Sequence, residues 1–209
     1  KAMCATQPRS AAEAGRVYAL IEAEKSALVR SDDGGENWSR VNEDYNIMSR
    51  PFYYSEIAAD PGNADRVYNI FENLAVSIDG GKSFENNPVV VCCAPGNFIH
   101  IDNHAFWINP DDPKHLVIGH DGGIAISHDR GATWRFLRNL PLAQFYHVAV
   151  DNDLPYNIYG GLQDNGSWRG PLAVWENAGM RNLHWQEISF GDGFDALPDP
   201  ENSRQGYSM

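Results

Sequence analysis

The chain repeats itself, and that restricts its architecture more than any other feature. Ser31-Asp32-Asp33-Gly34-Gly35-Glu36-Asn37-Trp38 fits the pattern S-x-D-x-G-x-x-W. The pattern returns as Ser77, Asp79, Gly81 and Phe84, and again as Ser127, Asp129, Gly131 and Trp134, after steps of 46 and 50 residues. A second marker, an Asp or Asn with a proline followed by an apolar pair, runs from Asp60-Pro61 to Val67-Tyr68 and from Asn109-Pro110 to Leu116-Val117. It recurs from Asp151 and Pro155 to Ile158-Tyr159, and from Asp199-Pro200 to Gly206-Tyr207. With Val17-Tyr18 as the first pair, the steps are 50, 49, 42 and 48 residues. Two unrelated markers that share one period describe an array of similar units.

Within each period the apolar stretches are short and alternating, and Gly- and Asp-rich turns separate them. Such a unit predicts a four-stranded antiparallel sheet, the blade of a β-propeller. The expected fold is all-β, with about four such blades drawn from a larger ring. The predicted blades are 1–50, 51–98, 99–140 and 141–189, with a further blade starting at 190–209, all in a single propeller segment. Inner strands such as Phe145 to Val150 lead through a Pro/Asp turn to second strands such as Asn157 to Gly160. The S-x-D-x-G turn joins the third strand to the fourth: Ser and Asp bond nearby amides, Gly accepts positive φ and the aromatic ring packs on the hairpin. Ser10 to Ser31 has a helix-forming composition, yet the repeat register places Val17 to Ile21 and Ala27 to Arg30 on strands.

Composition narrows the function classes. Among 209 residues, 16 Lys and Arg face 28 Asp and Glu, a formal charge of −12. That is the wrong sign for a phosphate-gripping nucleic-acid binder or for attraction to anionic lipid. No apolar run reaches the roughly 20 residues of a membrane helix, so no membrane insertion is expected. Cys4, Cys92 and Cys93 form neither a disulfide framework nor a spaced zinc site, and Cys92 and Cys93 are expected as reduced, mostly buried thiols. No P-loop, G-x-G-x-x-G, G-x-S-x-G or C-x-x-C occurs. No cofactor and no metal are expected.

The three turns resemble the Asp-box, or BNR, repeat of sialidases, sortilin-type receptors and two-propeller xyloglucanases. The wider strings Arg16 to Glu22, His104 to Pro110, Ala143 to Ala149, Gln163 to Gly166 and Gly191 to Phe194 resemble the large bacterial BNR-repeat proteins labelled "glycosyl hydrolase" or sortilin-like. The resemblance runs from about Arg16 to Tyr207. It implies a secreted or periplasmic protein, and a chain that is a fragment whose partners include the remaining blades of a longer parent.

In a propeller, the loops that enter the inner strands and those that join second to third strands share one face around the channel. Aligning the repeats puts Glu56, Ala105, His147 and Asp195 at one equivalent position at the start of each inner strand. The second loops carry His120-Asp121-Gly122-Gly123 and Gln163-Asp164-Asn165-Gly166. Paired carboxylates on such a rim suit glycoside hydrolysis, one as acid and one as base or nucleophile. Asp121 and Asp164 form the first candidate pair, with Asp192 and Asp195 in reserve. His104, His120, His147, Gln163 and Trp168 are candidate substrate-binding residues. The other reading of Asp121 and Asp164 is that they shape glycine-containing turns. If His100, Asp102 and His104 lie on an extended strand, they project to one side. Ser31, Asp33, Gly35, Trp38, Ser77, Asp79, Gly81, Phe84, Ser127, Asp129, Gly131 and Trp134 are expected to be structural, and Trp107 to sit in the core.

Two functions follow. One is a secreted, glycoside-hydrolase-like propeller directed at a polysaccharide or glycan, resembling an endoglucanase or xyloglucanase if it is an enzyme. Sialidase chemistry is disfavoured because the rim lacks arginines. The alternative is a non-catalytic sortilin-like or assembly-factor propeller that binds a protein, peptide or glycan on the channel rim.

Overall fold

The structure, a computed structural model, describes the backbone of residues 4–9 and residues 13–53, 56–90, 99–140 and 142–209. Cys92 and Cys93 lie outside the described residues. The chain divides into two compact units, Lys1–Leu137 and Arg138–Met209. The only helical turns among the described residues are two short 3-10 segments, Tyr45–Met48 and Asn182–His184.

The first unit contains three four-stranded antiparallel sheets, each a meander in chain order. The first sheet is β1 (Cys4–Arg9), β2 (Val17–Ile21), β3 (Ala27–Ser31) and β4 (Ser39–Asn42). The second is β5 (Glu56–Asp60), β6 (Asn63–Ile70), β7 (Leu74–Ser77) and β8 (Glu85–Asn86). The third is β9 (Asn103–Ile108), β10 (Leu116–His120), β11 (Gly123–Ser127) and β12 (Arg135–Phe136). Strand β1 lies beside β5, and β5 beside β9. Each sheet therefore has the topology of a propeller blade, and the innermost strands of successive sheets are neighbours.

The second unit repeats the plan with β13 (Val148–Val150), β14 (Asn157–Gly161), β15 (Ser167–Pro171) and β16 (Gln186–Ser189). A two-stranded sheet follows, β17 (Ala196–Pro198) and β18 (Gly206–Ser208). Strand β17 lies beside β13 and β14, as β5 lies beside β1 and β2. The strand assignment of Val17 to Ile21 holds against the local helix propensity, because the β1–β2 and β2–β3 ladders together hold this segment.

The core of the first unit sits between successive sheets. Tyr18, Leu20 and Leu28 of the first meet Ile57, Ala59 and Val67 of the second, with Ile47 and Met48 of the 3-10 turn. Tyr68, Ile70 and Leu74 meet Leu116, Ile118, Ala125 and Trp134 in the same way. Each fully buried Leu or Ile contributes about 1.5–3 kcal/mol.

Both sequence markers have a local hydrogen-bond explanation. In the Asp-box turns, the Ser31, Ser77 and Ser127 hydroxyls accept from the Gly35, Gly81 and Gly131 amides at 2.9, 2.8 and 2.8 Å. Each hydroxyl donates to its own Asp, at 2.7 Å to Asp33 and 2.8 Å to Asp79 and Asp129. Those carboxylates accept in turn from the amides of Asn37, Ser83 and Thr133 at 2.9, 3.0 and 2.8 Å. At the second marker, Asp60, Asn109, Asp151 and Asp199 each accept from the amide two residues on, at 2.7, 3.0, 3.3 and 2.8 Å. This Asx turn reverses the chain after an inner strand.

Three expectations are corrected. Strand β13 begins at Val148 rather than Phe145. Trp107 is 48% exposed and meets His115 edge-on, because its side chain projects from the face of β9 away from the core. His100, Asp102 and His104 do not share a strand face: Asp102 takes φ 66°, which breaks the alternation just before β9 starts at Asn103.

Candidate functional site

Each unit places titratable side chains at the end of its sheets where the inner strands begin. In the first unit, His104 stands on β9 and Asp121 in the tight β10–β11 turn. Antiparallel pairing brings them together, and His104 Nε2 lies 2.9 Å from Asp121 Oδ1. The Tyr53 ring meets the His104 ring edge-on at 5.9 Å, and the Arg50 guanidinium sits 5.8 Å from the Tyr53 centroid. Two backbone bonds brace this end: Asp102 N to Glu72 O at 2.7 Å, and Asp121 N to Asp102 O at 3.2 Å. Glu56, at the start of β5, has its carboxyl pushed above the usual range by partial desolvation, although it keeps contact with solvent. A carboxyl of that kind holds its proton more readily, as a general acid must.

His120, read from the sequence as a candidate substrate-binding residue, is enclosed rather than exposed. It is 8% exposed, its Nδ1 accepts from Gly122 N at 3.1 Å, and its ring stacks on His100 and leans on Phe136. Burial, helped by repulsion from His100, lowers its pKa to about 4. With Nδ1 accepting, Nε2 is the ring's donor, and it is buried with no partner among the described residues.

In the second unit, His147 precedes β13 and Asp195 precedes β17, and His147 Nδ1 lies 2.7 Å from Asp195 Oδ1. A carboxylate only accepts, so His147 Nδ1 is the donor in this pair. Beside them Tyr146 stacks on Phe194 at 4.4 Å, Phe194 meets His147 edge-on at 5.4 Å, and the Tyr146 hydroxyl donates to Gln163. Asp164 lies in the turn between β14 and β15 at φ 57°, and its amide donates to Asp192 Oδ1 at 3.0 Å. Trp168 is half-buried and its Nε1 donates to Asn165 O at 2.6 Å, so the indole braces this turn.

The structure thus joins His104 to Asp121, His147 to Asp195, and Asp164 to Asp192. Asp121 belongs to the first unit and Asp164 to the second. Sequence reasoning did not single out Tyr53, Tyr146 or Phe194. Tyr146 and Phe194 each adjoin a candidate, His147 and Asp195, and that adjacency was the available signal.

The family comparison agrees with the turn geometry. The BNR/Asp-box repeat family matches at residues 29–40, which span β3, the Ser31–Asp33–Gly35 turn and the start of β4. Residues 29–40 are a BNR/Asp-box repeat. No curated protein matches the chain. Among solved structures, the chain is similar to the Niastella koreensis GH74 enzyme, with 19% identity over 91% of this chain and 31% of that one, at TM-score 0.46. It is similar to the GH74 xyloglucanase of Xanthomonas campestris, with 21% identity over 94% and 27%, at TM-score 0.43. It is also similar to YCF48 from Cyanidioschyzon merolae, with 12% identity over 100% and 74%, at TM-score 0.41. The chain spans about a third or less of the two GH74 proteins. Among the described residues no helix is long and apolar enough to cross a membrane.

Proposed function

We propose that the chain is a segment of a secreted or periplasmic BNR-repeat propeller directed at a glycan, binding it at the ends where the inner strands begin. The observation that carries this reading is the group around Phe194. A stacked pair of flat rings, Tyr146 on Phe194, stands beside a hydrogen-bonded polar pair, His147 and Asp195. Sugars present an apolar face and an edge of hydroxyls, and this combination suits both. Asp121 and Asp164, with Asp192 and Asp195 in reserve, are the carboxylates proposed for hydrolysis, and Glu56 is the carboxyl best suited to give up a proton.

The test is binding to and reducing-sugar release from xyloglucan, mixed-linkage glucan and xylan. The wild type would be compared with Phe194→Ala, His147→Ala, Asp121→Asn and Asp164→Asn. Binding to one polymer that weakens at least tenfold in Phe194→Ala is the expected result, and turnover abolished by either Asp→Asn change would make the protein a glycosidase. Absence of binding to every polymer overturns the glycan reading and leaves the peptide-binding propeller in its place.

A further inference from the structure

The first unit has two junctions between successive sheets, and the repeat allows one to be compared with the other. Val17, Val67 and Leu116 pair with Ser31, Ser77 and Ser127, the first residues of the three Asp-boxes. Arg16, Arg66 and His115 are therefore equivalent, and so are Gly15, Asp65 and Lys114 one residue earlier. The backbone repeats the correspondence: Gly34, Gly80 and Arg130 donate to the carbonyls of Gly15, Asp65 and Lys114 at 2.8, 2.9 and 3.1 Å.

At the first junction, Arg16 is 8% exposed and three carboxylates close around it. Asp65 of the next sheet lies at 2.8 Å, Glu13 at 3.1 Å, and Asp32 also bonds to it. At the second junction the equivalent cation is Arg66, and the three equivalent positions hold Lys114, Asn63 and Ile78. None is a carboxylate, and one adds a positive charge. Among the described residues, neither Arg66 nor Lys114 has an ion-pair partner. Tyr18 donates its hydroxyl to Ala64 O at 2.8 Å, whereas the hydroxyl of its equivalent, the fully buried Tyr68, lies beside the Arg66 donor and has no acceptor among the described residues.

A cleft of about 590 Å³ opens at this second junction, lined among others by Arg66, Lys114, Arg130 and Ile78. Two carboxylates also line it. Asp129 is held in its own turn by Ser127 and Thr133, and Glu85 is exposed on the short strand β8. Arg130 carries a second sign of purpose. It sits at φ 61°, where the equivalent positions are glycines, Gly34 at 81° and Gly80 at 74°. A side chain in that left-handed conformation is strained and persists where its placement is needed.

We propose that the second junction is an oxyanion-binding site, where a carboxylate, phosphate or sulfate group takes the place of the carboxylates that close the first. Arg66 and Lys114 supply the charge, and Arg130, anchored to Asp60, forms the wall from the third sheet. The chain as a whole carries −12, so Arg66 and Lys114, with no carboxylate at the three equivalent positions around Arg66, run against its general charge and favour a local anionic ligand.

The test is calorimetric titration of the protein with inorganic phosphate, sulfate and glucuronate at constant ionic strength in chloride, with glucose as the neutral control. Saturable binding of at least one oxyanion is expected, with none for glucose. Lys114→Asp rebuilds the ion pair that Asp65 makes with Arg16. It should lower oxyanion affinity at least tenfold while melting at or above the wild-type temperature. Phe194→Ala should leave oxyanion affinity unchanged, which separates this site from the proposed glycan surface. A preference for glucuronate identifies an acidic sugar as the source of the group, and a preference for phosphate identifies a phosphate ester. No saturable oxyanion binding, or equal binding by Lys114→Asp, overturns the proposal.

Discussion

Arg130 Nε donates to Asp60 Oδ2 at 3.0 Å, and this bond ties the third Asp-box turn to a carboxylate that is fully enclosed at the end of β5. Asp60 Oδ1 is already used, accepting from Gly62 N at 2.7 Å. Removing one partner of a buried ion pair costs about 3–5 kcal/mol. Arg130→Ala is therefore expected to lower the unfolding free energy from urea denaturation by that order. Arg130→Gly should be less damaging by up to about 1 kcal/mol, because glycine accepts the positive φ without strain. Equal midpoints for Arg130→Ala and the wild type would remove the bond from the account of stability.

The Asp-box carboxylates should show up in acid. Hydrogen bonds from the Asn37 amide and side chain hold Asp33 at about 2. For Asp79, burial works in the opposite direction, but the bonds from Ser83 and Ser77 outweigh it and the value is again about 2. Asp129 is lowered by Thr133. These pKa values are depressed on folding, so the stabilisation is complete above the unfolded value of about 4 and fades as pH falls towards 2. Replacing Asp33, Asp79 and Asp129 together by Asn should flatten the loss of stability between pH 4 and 2, as read by urea denaturation at each pH.

His120 acts in a separate, higher window. Its folded pKa is about 4, against about 6.5 in an unfolded chain, because burial and then His100 disfavour the charged ring. The unfolded state takes up the proton first. Stability is therefore whole above pH 6.5 and declines as pH falls towards 4. His120→Asn keeps an acceptor for Gly122 N and removes the titration, so its stability should be level across that window. A decline like that of the wild type would assign the effect to other groups.

The repeat made the blades legible because both of its markers act locally. The Ser-Asp-Gly turn and the Asx turn at Asp60, Asn109, Asp151 and Asp199 are closed by residues within a few positions of one another. What depends on the third dimension was less legible. Trp107 reads as a core residue from its place on an inner strand, yet its side chain is half exposed. His100, Asp102 and His104 read as one face, and a single left-handed residue, Asp102, undoes the pattern. His120 and His147 look alike in sequence, but one is enclosed between His100 and Phe136 and the other is paired to Asp195 48 residues away. The aligned starts of the inner strands, by contrast, did bring His147 next to Asp195, since β17 lies beside β13.

The position of that pair rests on two glycines that no side chain can replace without displacement. A Cβ on Gly193 would lie 2.1 Å from Gly166 O, and one on Gly161 would lie 2.3 Å from Phe194 N. The approach is this close because Gly193 N donates to Leu162 O at 2.8 Å and Gly166 N to Gly191 O at 2.8 Å, locking the two segments backbone to backbone. Gly193→Ala must push residues 191–195 away from the β14–β15 turn. That shift moves Asp192, Phe194 and Asp195 together and breaks their geometry with Asp164, Tyr146 and His147. Overpacking against backbone costs about 1–3 kcal/mol, and the loss of ligand affinity should exceed what that destabilisation alone would produce. Gly179→Ala is the control for side-chain space: this glycine, unlike Gly193, sits at positive φ, 70°, but its Cβ would meet nothing within 4 Å. It should cost about 1 kcal/mol and leave ligand binding unchanged. If the two variants melt and bind alike, the close contact at Gly193 does not hold the site together.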